Sequence, residues 1–233
     1  MQYFVIRHTD NIKIIGHYPQ VQKVHHNCSV WDEPKFIENV GFEDIDFIPI
    51  TSNVELHKSS KLTDLIQVTS IGFTNKLLVS EKLMYALKSQ NGNTLNFYKS
   101  EIYQRCKYVE DYYIMHSPRT NMNLLDFQKS EFVLCKLFEK VKDLNFKDFE
   151  DYLEFKSDLK YPLNILASKI HFLPEIKNDL ITLIDVGGGV KYVVSEKFKE
   201  LIENLNCTGI EFMPIEYSLS EWLHSEKRKI LYL

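Results

Sequence analysis

The sequence predicts an α+β fold in a single domain spanning 1–233, with two related strand–helix–strand units joined by a β-rich middle. Three observations predict it. Short runs of β-branched and aromatic residues alternate with short helical periods along the whole chain. The tetrapeptide Val-Ser-Glu-Lys occurs at 79–82 and again at 194–197, 115 positions apart. No Pro/Gly/Ser-rich linker or low-complexity run divides the 233 residues, so the two units belong to one domain rather than to two tethered ones.

Taken in order, "QYFVI" (2–6) reads as an opening strand and "IKII" (12–15) as a second one. Residues 17–46 are irregular, and 1–60 form an N-terminal part ahead of the first repeat unit. "DFIPI" (46–50) is strand-like, with Pro49 restricting it to an edge or a strand end. "VELHK" (54–58) alternates, as a half-buried strand does. The Tyr-rich "KYVEDYYIMH" (107–116) reads as a strand, with Tyr112, Ile114 and His116 on one face. Residues 143–160 read as one helix or two short ones. "DLITLIDV" (179–186) and "VKYVVS" (190–195) flank Gly187, Gly188 and Gly189. These glycines join two strands and do not open a helix, so they form a hairpin turn rather than a phosphate or dinucleotide loop. "LSEWLHSE" (219–226) is a short helix near the end.

The repeat units run over about 77–101 and 192–216 and align without a gap. Leu83, Ala86 and Leu87 fall on Phe198, Leu201 and Ile202 at helical spacing. Ser80 and Ser195 end a β-branched run and are placed to cap the following helix, and Glu81 and Glu196 sit where the helix dipole favours a negative charge. Each helix stops near an Asn, with Gly92 or Gly209 close by, and an alternating strand follows. A nucleophilic serine would need a base and an oxyanion pocket nearby, and neither is written there.

Net charge is −4 with an acidic pI of about 6.1, which excludes a general nucleic-acid binder built on a basic face. No apolar run approaches a membrane span, and no leader pattern opens the chain, so the expected location is the cytoplasm. The cysteines, Cys28, Cys106, Cys135 and Cys207, lie far apart and suit reduced thiols. His25, His26 and Cys28 form the one His/Cys cluster, short of a zinc site, and no metal or cofactor is expected.

Acids gather twice. Residues 31–47 hold Asp32, Glu33, Glu38, Glu43, Asp44 and Asp46 against one lysine, interleaved with Trp31, Phe36, Phe42 and Phe47. Residues 146–158 hold Asp148, Glu150, Asp151, Glu154 and Asp158, with Phe149, Tyr152 and Phe155 among them. Either stretch can be a solvated face over an apolar stripe. Either can instead be a partner-binding surface, with acids steering a basic protein and aromatics anchoring it. Trp31, Asp32, Glu33, Glu43, Asp44, Asp148, Glu150, Asp151, Tyr152 and Glu154 are the candidate contact residues.

Three segments carry a family resemblance: "LTDLIQVTSIGFTNKLLVSEKLMYAL" (62–87), "DYYIMHSPRTNMNLLDFQKSEF" (111–132) and "ITLIDVGGGVKYVVSEKFKELIENLNCTGIEFMPI" (181–215). In this order the chain resembles the immunity proteins of bacterial polymorphic toxin systems, family eleven of that series. The resemblance implies an antitoxin that binds a cognate secreted toxin stoichiometrically, without catalysis, and it supplies no catalytic residues. Two other classes stay open on the residues alone. One is a hydrolase using carboxylates, for which His116, Asp126 and Glu211 would have to converge. The other is a protein that assembles with itself.

Overall fold

The computed structural model describes residues 2–68, 76–91, 95–137, 139–187 and 189–232. The fold is α+β. In chain order it contains β1 (Tyr3–His8), α1 (Ile12–Ile15), β2 (Val21–His26), β3 (Ser52–Leu56), β4 (Leu65–Ile66), β5 (Leu77–Ser80), α2 (Glu81–Asn91), β6 (Asn96–Lys99), β7 (Ile102–Gln104), β8 (Lys107–Val109) and β9 (Tyr112–His116). There follow β10 (Glu131–Lys136), β11 (Glu139–Leu144), α3 (Phe149–Ser157), β12 (Leu163–Lys169), β13 (Leu180–Leu183), β14 (Lys191–Ser195), α4 (Glu196–Asn204), β15 (Ile210–Pro214), α5 (Leu219–His224) and α6 (Glu226–Ile230). Two compact units result: Met1–Val5, Thr120–Glu196 and Met213–Leu233 form one, and Ile6–Arg119 with Lys197–Phe212 form the other.

The first unit is organised by aromatic packing. Its three-stranded sheet has the order β11-β10-β12. Phe132 on β10 stacks on Phe127 at 5.1 Å and meets Phe146 edge-on at 5.2 Å. Tyr152 of α3 closes the cluster against Phe127, Phe146 and Phe149. Burying rings of this size contributes about 1.5–3 kcal/mol each, so this cluster holds α3 to the sheet. Strands β13 and β14 pair as an antiparallel hairpin, and β14 pairs on its other side with the start of β1 (Tyr3↔Ser195, Val5↔Val193). At the hairpin turn Gly187 N donates to Ala167 O and Gly189 takes a positive φ of 89°, while Gly188 lies outside the described residues.

The second unit contains the sheets β2-β3-β7-β8 and β4-β5-β9-β6. Strand β3 alternates buried and half-buried residues, as "VELHK" suggested, and Val54 packs with Ile66, Leu78, Ile102 and Ile114. Gly209 has φ 83°, and a Cβ there would sit 2.3 Å from Leu65 O. The chain therefore requires glycine at this place.

Several sequence expectations need correction. "IKII" is a short helix, because the Asn11 side chain accepts from Lys13 N and starts a turn that Gly16 stops at φ 79°. Among the described residues "DFIPI" makes a single bridge, Phe36↔Ile50, and no strand. The Tyr-rich stretch is two strands, β8 and β9. Residues expected to begin a helix at 143 end strand β11, and the helix starts at Phe149 behind the cap of Asp148.

The repeat reaches further back than the sequence comparison placed it. Ser80 Oγ donates to Asp64 Oδ1 at 2.6 Å, and Ser195 Oγ donates to Asp179 Oδ1 at 2.5 Å, each across sixteen residues. The backbone matches too: Ser80 N donates to Asp64 O and Ser195 N to Asp179 O. Leu65 pairs with Val79 as Leu180 pairs with Val194. Sheet β4-β5-β9-β6 thus corresponds strand for strand to β13-β14-β1-β15. Glycine 92, expected near the end of α2, lies outside the described residues.

Candidate functional site

Strands β2 and β3 pair antiparallel, His26 opposite Ser52, yet 25 residues separate them. A connection this long inside a compact unit is uncommon and calls for a role of its own. Residues 27–51 contain the first acidic cluster.

The loop is built, not loose. Phe36 and Ile37, 1% and 0% exposed, plug into the core beside Val21, Val54 and Leu78. Ile37 N donates to Ile50 O at 3.0 Å and Ile50 N to Lys35 O at 2.8 Å. Asn39 Nδ2 donates to the carbonyls of Val30 and Glu33, tying the loop's first arm. Ser29 Oγ donates to Asp32, and Glu33 accepts from Lys35 N. The second arm is held from the residue just before β5 and from the end of β9. The ammonium of the buried Lys76 donates to Val40 O at 3.2 Å and Gly41 O at 3.4 Å, and His116 Nε2 bonds to Glu43 O at 2.9 Å.

What this scaffold presents is apolar and acidic. Trp31 is 78% exposed and Ile48 is 86% exposed. On the same loop Asp32, Glu43, Asp44 and Asp46 are exposed, and Glu33 is half-buried. Asp44 faces Arg119 at 3.8 Å, an exposed pair that contributes little to stability. An exposed tryptophan on an ordered backbone gives up little freedom on contact, which is the property of an interface anchor.

The second acidic cluster divides. Glu150 and Glu154 are exposed on α3. Asp148 caps the helix by accepting from Asp151 N, and Asp151 accepts from Lys147 N, so these two carboxylates serve the helix start. Tyr152 is 1% exposed and is not a contact residue. Its ring belongs to the aromatic core, and its hydroxyl donates to Asp185, which also receives Lys156. Burial, the Asp185 hydrogen bond and the Asp185 charge all push the Tyr152 phenol far above its ordinary range. Beside α3 lies an open depression of 590 Å³ lined by Asp126, Gln128, Lys147, Asp148, Phe149 and Glu150.

The remaining candidates sit in separate networks. Ser80 Oγ accepts from Leu83 N at 3.2 Å, a helix cap, while donating to Asp64. Asp64 also accepts from Thr208 N at 2.7 Å and pairs with Lys82 at 3.0 Å. Burial raises the Asp64 carboxyl, but Ser80, Thr208 and Lys82 outweigh it and hold it below the usual carboxylate value. Glu211 is buried against Arg7 at 3.1 Å, Asp126 pairs with Lys129, and His116 lies between Lys76 and Glu43. Among the described residues no group of three or more His, Cys, Asp and Glu side chains is placed to hold a metal ion. The aspartates behind both serines are the residues that sequence reasoning missed. The tripeptide Asp-Leu-Ile at 64–66 and 179–181, at the same offset of 115, is the signal that marks them.

No protein-family model matches the chain, and no curated protein matches it. Among the described residues, no helix is long and apolar enough to cross a membrane.

Proposed function

We propose that this chain is a non-catalytic binding protein of the immunity type, acting in the cytoplasm, whose 27–51 loop docks on a cognate toxin and neutralises it. The supporting observation is Trp31, 78% exposed on a loop pinned at both arms that also exposes Asp32, Glu43 and Asp44. Acids of this density favour a basic partner surface and speed its approach, while Trp31 and Ile48 supply the desolvated centre of contact. Glu150 and Glu154 of α3 form a secondary acidic face.

The test uses the partner captured from the host by the tagged chain. Trp31→Ala should weaken binding by about 30-fold, corresponding to a hot-spot loss of about 2 kcal/mol. Charge reversal at Asp32, Glu43 and Asp44 should slow association and flatten its salt dependence. Titration calorimetry and surface-plasmon kinetics read both. Wild-type affinity in Trp31→Ala, with reduced affinity in Glu150→Lys/Glu154→Lys, would move the interface to α3. A captured partner harmless when expressed alone would sink the antitoxin reading.

A further inference from the structure

The contact between Lys76 and His116 does more than fill the core. His116 ends β9 with no exposed surface, and Lys76, just before β5, is 4% exposed. His116 Nε2 faces the Glu43 carbonyl oxygen at 2.9 Å, and a carbonyl only accepts, so Nε2 carries the hydrogen. The Lys76 ammonium, 3.2 Å from Nδ1, only donates, so Nδ1 accepts through its lone pair. The imidazole is therefore neutral and bridges the ammonium to the loop backbone. The same ammonium holds the carbonyls of Val40 and Gly41 and sits 4.9 Å over the Phe42 ring. The Val40 amide also donates to Phe36 O, while the carbonyls of Val40, Gly41 and Glu43 are gripped by these two side chains.

We propose that Lys76 and His116 form a proton-operated latch that holds residues 40–44 of the acidic loop in place and releases them when His116 takes a second proton. A proton on Nδ1 removes the lone pair and sets an N–H cation against an ammonium at 3.2 Å inside the protein. The repulsion is relieved when Lys76 leaves, freeing Val40 and Gly41, or when the ring turns out, freeing Glu43. The charged groups around the ring are Lys76 before β5, Glu43 and Asp44 on the loop, and beyond Asp44 the guanidinium of Arg119; Glu38 acts on Lys76. The uncharged neighbours are Asn96, opposite His116 on β6, and the Tyr98 ring at 6.5 Å.

The direction of the pH effect follows from the enclosed ring. Burial first, then Lys76, hold His116 below its ordinary value of 6.5, against the Glu43 oxygen and the carboxylates of Glu43 and Asp44. A group held low in the closed form gives its full contribution above pH 6.5, and that contribution is lost as the pH falls below it. The latch is closed at neutral pH and opens on acidification.

The experiment reads the full chain by nuclear magnetic resonance between pH 7.5 and 5. The ¹⁵N signals of the His116 ring report its tautomer, and hydrogen exchange at Asn39 and Val40 reports the loop. Both amides donate to Phe36 O. The expected result is an Nε2–H tautomer at pH 7.5 and at least a tenfold loss of protection at Asn39 and Val40, relative to intrinsic exchange, as His116 titrates. His116→Gln, which can still donate to Glu43 O, should keep protection constant across the range. Lys76→Met should lose protection at both ends. An Nδ1–H tautomer, or protection that does not change with pH in the wild type, would overturn the latch. So would a His116→Gln chain that loses protection as the wild type does. Because the functional consequence rests on reading the loop as the interface, partner affinity is measured over the same range. Protection that falls while affinity stays level leaves the latch standing and removes the loop from the interface.

Discussion

The two Asp–Ser modules are the same object built with different chain order. In one, β4, β5, α2 and β6 are completed by β9, which follows them in sequence. In the other, β13, β14, α4 and β15 are completed by β1, which precedes everything else. The registers agree: Ser80 faces Tyr112 and Ser195 faces Tyr3. The helix starts agree as well, Glu81 N donating to Asp111 O and Glu196 N to Gln2 O. Even the tyrosines behave alike, Tyr112 donating to Thr63 O at 3.0 Å and Tyr3 to Ile176 O at 3.4 Å. A strand is thus recruited by register and side-chain fit, not by its place in the chain. Closing the longer loop costs only about 1–2 kcal/mol more, since the cost grows with the logarithm of length.

The comparison breaks most severely at the shared central strand. Ile114→Asp and Val5→Asp each place a charge at a position 0% and 4% exposed, facing Leu78 and Val193 respectively. Each should cost more than about 4 kcal/mol and abolish cooperative unfolding in thermal denaturation followed by circular dichroism. If Val5→Asp melted like the wild type, β1 would not be the structural counterpart of β9.

The aspartates sharpen it further. Asp64 is buried and carries the Lys82 pair, whereas Asp179 is half-buried. Asp64→Asn should therefore cost about 2–3 kcal/mol and Asp179→Asn about 1–2 kcal/mol in urea unfolding. The Asp64 carboxyl is held below its ordinary 3.8, so its contribution is present above that pH and is lost as the pH falls through its lower folded value. The gap between wild type and Asp64→Asn should be widest at neutral pH and close in acid. A gap that stays constant with pH would show that the carboxylate charge is not what matters.

The smallest effects belong to the serines. Ser80→Ala and Ser195→Ala should each cost about 1 kcal/mol, the size of a lost helix cap or hydrogen bond, and the two should add in the double variant. Strong non-additivity would mean that the two modules are energetically coupled.

Much of this was legible because it is local. The apolar runs before Ser80 and Ser195, the helical spacing of Leu83, Leu87, Phe198 and Ile202, and the strands that follow are patterns of neighbouring residues. The errors have physical reasons. "IKII" has the composition of a strand, but a four-residue helix is decided by its cap and by Gly16. Residues 139–144, Glu-Lys-Val-Lys-Asp-Leu, are mostly charged, and their two apolar residues do not alternate, so no pattern announces a strand; β11 exists because β10 offers it a hydrogen-bonding edge. Tyr152 sits among acids in sequence, yet its ring fits the space left by Phe127, Phe132 and Phe146.

By itself, the sequence determined an α+β chain with a doubled strand–Ser–helix unit and an acidic aromatic stretch at 31–47. Only the tertiary structure decided which strand completes each module, which acids cap a helix and which face solvent, and that Lys76 and His116 hold the loop displaying Trp31. The division follows the range of the forces. Propensity, capping and periodicity act within a few residues, while burial, register and the meeting of a lysine with a histidine forty residues away depend on where the whole chain has folded.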